Sequence, residues 1–84
     1  MEFKATNILT GIEETIDLDF TKYNIEKKYS EIKVISIPEP EYTIKIVLIP
    51  FINMLCIECS EDLGNNKIFH LDNNTFDELW YKLD

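Results

Sequence analysis

Between residues 31 and 59 the chain is dominated by isoleucine, valine and leucine, and prolines cut this stretch into pieces the length of strands. The first piece, 31–37, is rich in β-branched residues and stops at Pro38-Glu39-Pro40, where neither proline has an N–H to give a ladder. The second, 42–49, alternates strictly: Tyr42, Ile44, Ile46 and Leu48 face one way, and Thr43, Lys45, Val47 and Ile49 the other. Pro50 closes it. The third, 52–59, is apolar on both sides, with Ile52, Met54 and Cys56 opposed to Leu55, Ile57 and Cys59. A strand of that kind is central with both faces covered, or is covered by a second copy of the protein. Gly64-Asn65-Asn66 then signals a turn into a short strand over 67–71.

The C-terminal segment changes period. Phe76, Leu79, Trp80 and Leu83 fall at i, i+3, i+4 and i+7, which predicts a helix over 75–83 with its apolar stripe laid on a sheet. Asn74 or Thr75 is the expected cap, with Thr75 and Glu78 forming a capping box. On this reading the glycosylation sequon Asn73-Asn74-Thr75 is a helix start. Near the N-terminus, Ile16, Leu18 and Phe20 alternate with Asp17 and Asp19 as in a half-exposed strand, turned back at Thr10-Gly11 on an earlier strand over 3–9. Residues 21–30 read as a short helix with Ile25 and Tyr29 inward. The expected fold class is α+β: a mostly antiparallel meander in the order ββαββββα, its C-terminal helix packed on one face. The 84 residues contain no repeat or linker, so one compact domain over 1–84 is expected.

Composition excludes several functions. All eight basic residues are lysine, so no arginine finger or bidentate guanine contact is possible. A net charge of −8 argues against direct binding to nucleic acid or to an anionic membrane. Met1-Glu2-Phe3-Lys4 has no basic segment followed by an apolar run, and the apolar stretch 46–57 is too short to span a bilayer. A cytoplasmic protein is expected. Thirteen isoleucines and seven asparagines against one alanine suggest an AT-rich coding source.

The charge is segmented. Residues 1–20 carry Glu2, Glu13, Glu14, Asp17 and Asp19 against one lysine, a net −4. Residues 21–33 carry a net +2, and residues 34–84 a net −6. Fixed carboxylates at strand spacing suit a groove built for phosphates: Asp17 and Asp19 on one strand face stand about 7 Å apart. The candidate partner-binding residues are therefore Glu13, Glu14, Asp17 and Asp19, with Glu58, Glu61 and Asp62 as a second set. The plainer use of such acids is a solvated face that keeps the protein soluble.

Other chemistry is sparse. Cys56-Ile57-Glu58-Cys59 lies at the end of a strand instead of a helix N-terminus, so a thioredoxin-like pair is not expected. With His70 and with Asp72 as a fourth ligand, Cys56 and Cys59 would make a zinc site only on a tight turn. Two reduced cysteines packed as small hydrophobes are the simpler reading. His70 is the single histidine, Glu13/Glu14 and Asp77/Glu78 are adjacent in sequence and diverge, and two glycines make no phosphate loop. No cofactor and no catalysis are expected. In size, charge and lack of catalytic motif the chain resembles small phage-encoded inhibitors of host defence, anti-CRISPR proteins included, and bacterial immunity or antitoxin proteins. That resemblance is one of profile and carries no residue over. The expected function is an acidic binding protein that blocks a basic, nucleic-acid-handling partner. The alternative is an accessory subunit that forms a homodimer through an exposed sheet edge at 52–59.

Overall fold

The computed structural model describes residues 1–28, 31–62 and 66–83. Seven strands and one helix follow in chain order. They are β1 (Glu2–Asn7), β2 (Glu13–Asp17), β3 (Asn24–Lys28), β4 (Lys33–Pro38), β5 (Thr43–Ile49), β6 (Met54–Cys59), β7 (Lys67–His70) and α1 (Asn73–Lys82). All strands join one antiparallel sheet in the order β2-β1-β7-β6-β5-β4-β3. The α+β class and the meander from β4 to β7 are as the sequence predicts. Gly64 and Asn65 of the predicted turn lie outside the described residues, as does Tyr29.

One feature of the topology sets the shape. The two edge strands, β2 and β3, are consecutive in sequence. Across a flat sheet they would stand about 29 Å apart, six strand spacings of ~4.8 Å. The seven steps from Asp17 to Asn24 reach about 25 Å at full extension. The sheet is therefore twisted and curled, and residues 18–23 cross its hollow side. Leu18 is buried in the core there; Phe20 and Tyr23 pack against the core and meet each other edge to face at 6.3 Å.

Register explains what fills the hollow. Ile37 pairs with Ile44, Ile35 with Ile46, Lys33 with Leu48, Leu48 with Leu55, and Leu55 with Phe69, so one face collects the large apolar side chains. Phe76 and Leu79 of α1, with Leu83 at its C-cap, close over them, fully buried. The alternation predicted for β5 is the one observed: Ile46 and Leu48 are buried inward, while Thr43 and Lys45 are exposed.

Three expectations are corrected. The helix expected over 21–30 does not form across its described residues, 21–28: 24–28 are strand β3, paired with β4 through a bulge between Ile25 and Lys27. Lysine and glutamate favour helix locally, but β4 offers an unpaired ladder whose backbone groups must be satisfied. The only other helical turns among the described residues are two 3-10 turns, Pro50–Ile52 and Ser60–Asp62. The cap of α1 is Asp72, which accepts from the Thr75 N–H at 2.7 Å and precedes the cap expected at Asn74 or Thr75 by two or three residues. Finally, 54–59 has no exposed edge. β6 is the fourth strand of seven, bonded to β5 on one side and β7 on the other, so edge-to-edge dimerisation there is ruled out.

Two tight connections hold the ends. After Pro50–Ile52, Asn53 adopts a left-handed conformation (φ 51°), which asparagine tolerates. Its carbonyl accepts from Leu71 N–H at 2.9 Å, and its side chain bonds that of Asn73, which ties the β5–β6 connection to the start of α1. In the β1–β2 turn, Gly11 takes φ 72° and the Asn7 side chain accepts from Leu9 N–H at 2.9 Å.

Candidate functional site

The predicted acids do not share one surface. Met1 and Leu18 exchange both backbone hydrogen bonds, at 2.6 and 2.9 Å, and Asn7 N–H donates to Ile12 C=O at 2.9 Å. Hydrogen-bonded and open pairs alternate in an antiparallel ladder, so Glu2↔Asp17, Lys4↔Thr15 and Thr6↔Glu13 are the open pairs. Their side chains all stand on the outer face, away from the core. Glu14 points the other way, half-buried, and accepts from the Asn7 amide at 2.9 Å. Asp19 lies beyond β2 and folds back on Thr21, accepting from its N–H at 2.9 Å and its hydroxyl at 2.8 Å. Those bonds, the backbone one first, hold its carboxyl below the usual range.

What remains is an acidic corner with an internal conflict. Glu2 and Asp17 are directly opposite in an open pair, where side chains come closest, and like charges there repel. The N-terminal ammonium of the largely buried Met1, 3.6 Å from the exposed Asp17, and the exposed Lys4, 3.6 Å from Glu13, partly offset this. Beside this corner, the turn of the same hairpin is unusually apolar. Ile8, Leu9 and Ile12 are 47%, 85% and 62% exposed. Residues 8 and 9, expected within the strand over 3–9, belong instead to this turn. Its signal was three large apolar side chains flanking Thr10-Gly11, where turns are ordinarily polar.

The second predicted set lies elsewhere. Glu58 is half-buried on the outer face of β6, opposite Lys45, and Glu61 is exposed on the 3-10 turn that follows, whose last residue is Asp62. Glu58 and Lys45 line a shallow outer groove of about 420 Å³ with Glu26, Lys27, Val34 and Ser36. Ser36 Oγ donates to Glu26 at 2.6 Å. Two carboxylates and two ammonium groups make the groove's formal charge neutral. Next to it, Val34, Val47, Cys56 and Ile68 form one half-buried apolar row across β4 to β7.

The cysteine and histidine candidates are not brought together. Cys56 and Cys59 are three residues apart on a regular strand and so face opposite sides of the sheet. His70 is outward on β7, diagonal to Cys56, and Asp72 is committed to capping α1. Burial and then the Glu58 carboxylate push the Cys56 thiol up, partly countered by Lys45. A protonated thiol is the weaker nucleophile and metal ligand.

Lys33 was counted with the basic segment, yet it is 1% exposed on the inner face of β4. Its ammonium lies 4.1 Å from the centre of the Trp80 ring and donates to the Trp80 carbonyl at 2.5 Å. That carbonyl belongs to the last turn of α1, where backbone acceptors have no helical donor and positive charge is favoured. Lys33 thus fastens the helix C-terminus to the sheet. Its spacing of two from Ile35, and of four from Ile37, was the available signal.

No protein-family model, curated protein or solved structure matches the chain. No helix among the described residues is long and apolar enough to cross a membrane.

Proposed function

We propose that the chain is a non-enzymatic binding protein whose β1–β2 hairpin occupies a basic surface on a nucleic-acid-handling partner and blocks it. The observation that carries this reading is the acidic corner: Glu2 and Asp17 repel one another in a close cross-strand pair, with Glu13 on the same outer face, and the N-terminal ammonium and Lys4 offset this only in part. A cationic surface would relieve that repulsion on binding, and the apolar tip at Ile8, Leu9 and Ile12 supplies area that loses water. An acidic corner with an apolar tip has the make-up of an interface with a charged rim. Glu14 and Asp19 serve the hairpin's own structure in this account, and Glu58, Glu61 and Asp62 lie outside the contact.

The test is a salt series on the captured complex, run beside the Glu2→Lys/Glu13→Lys/Asp17→Lys variant. Binding should weaken steeply with ionic strength and be abolished in the variant, which should still fold. Unchanged affinity in the variant would move the site off this hairpin.

A second reading has one observation in its favour. The outer row Val34, Val47, Cys56 and Ile68 is covered by no element among the described residues, so two copies packed by this face would bury it. Such a dimer would persist at high salt, where the acidic complex dissociates.

A further inference from the structure

We infer that the free edge of β2 is a docking site for an extended basic segment of the partner, which adds to the sheet as an eighth, antiparallel strand. The inference rests on the reading of β1–β2 as the binding surface and specifies how that surface is used.

The backbone supplies the first argument. The N–H and C=O groups of Ile12, Glu14, Ile16 and Leu18 lie on the β1 side of β2, so those of Glu13, Thr15 and Asp17 point to the open side. Among the described residues no backbone hydrogen bond engages these three outside the ladder. β2 keeps regular register over its five residues, with no proline, lysine or bulge to spoil pairing. The opposite edge, β3, is blunted by the bulge at Ile25/Lys27 and by Lys27 and Lys28.

Charge selects the occupant. The residues whose backbone faces the open edge are also those whose side chains stand outward, so an added strand sets its own outward side chains against Glu13, Thr15 and Asp17. Two copies of β2 paired antiparallel about Thr15 would set Glu13 against Asp17 twice, like charge on like charge. A segment reading Lys-x-Thr-x-Lys sets an ammonium against each carboxylate. A following apolar residue lies beside the exposed Ile12 at the hairpin tip. This is recognition by strand addition, with backbone bonds giving affinity and alternate side chains giving specificity.

The probe is the peptide acetyl-Lys-Val-Thr-Thr-Lys-Leu-amide, titrated at low salt into the full chain with backbone amide resonances as readout. Its first, third and fifth residues would turn their N–H groups toward β2, and the others away. Backbone N-methylation of the first, third and fifth residues should weaken binding by about tenfold or more, and methylation of the second, fourth and sixth by about twofold or less. In the protein, Thr15→Pro removes an open-side N–H without touching a β1 bond or a charge, and should weaken binding in the same way. Equal binding by both methylated peptides, with loss in Glu13→Gln/Asp17→Asn, would overturn strand addition and leave the acidic surface standing. No binding by any of these peptides would overturn strand addition, and partner affinity unchanged in Glu13→Gln/Asp17→Asn would overturn the reading of β1–β2 as well. A chain that dimerises through β2, and becomes monomeric on Thr15→Pro, would overturn the inference in favour of a second copy.

Discussion

β2 and β3 close the two sides of the same sheet with five residues each, and they meet the solvent in opposite ways. β3 carries a bulge and two adjacent lysines, the ordinary means by which an edge refuses another strand. β2 is regular, acidic and next to an apolar turn. The hairpins behind them differ too. β3–β4 is fastened to the core by a buried lysine under the end of α1, whereas β1–β2 holds two carboxylates against each other at its outer face. One side of the molecule is arranged for stability. The other keeps a repulsion that stability alone would remove.

The largest effect should come from breaking the structural side. Lys33→Ala removes the ammonium from the Trp80 carbonyl and ring and leaves a cavity, so unfolding free energy should fall by about 3 kcal/mol in urea titration followed by Trp80 fluorescence. Lys27→Ala, on the exposed edge of the same hairpin, should stay within about 0.5 kcal/mol. Equal losses would mean that Lys33 does not fasten the helix.

On the other side the expectation reverses. Glu13→Lys/Asp17→Lys should cost partner affinity by about tenfold or more while leaving the urea midpoint nearly unchanged. Glu2→Gln removes one member of the repelling pair and should raise stability by about 0.5 kcal/mol at low salt, the gain fading as salt is added. A loss of stability in Glu2→Gln would show that the pair is held by something other than the geometry described.

The smallest effect concerns acid. Asp19 and Asp72 are both held below the ordinary aspartate range, chiefly by the backbone N–H of Thr21 and of Thr75. A depressed folded value means that their contribution is present above the unfolded value of about 3.9 and is lost as pH falls through the folded one. Asp72→Asn should therefore flatten the decline in stability below about pH 4 and change nothing in its shape between pH 6 and 8. Urea midpoints across that range decide it.

Much of this architecture was legible in the residues. The alternation of β5 and the stripe of α1 are local patterns that tertiary structure kept. β3 was not legible, because its glutamate and lysines have helical propensity and Ile25 and Tyr29 fall at helical spacing. Its strand state comes from pairing with β4, which no local pattern records. Lys33 was misread by residue type, since its position in the alternation was inward all along. For the candidate site, the sequence identified the acids but not their grouping. Adjacency already set Glu14 apart from Glu13, but only the register brings Glu2 onto the face shared by Glu13 and Asp17. The apolar tip went unseen because residues 8 and 9 extend β1 in composition while the turn begins at Ile8.

The most direct test of the central claim is a paired affinity capture from native host lysate, wild type beside the Glu2→Lys/Glu13→Lys/Asp17→Lys variant, eluted with salt and read by mass spectrometry. The account expects a stoichiometric basic protein held by the wild type, released by salt and absent from the variant. The same proteins on both baits, or bait alone at dimer mass, would contradict it.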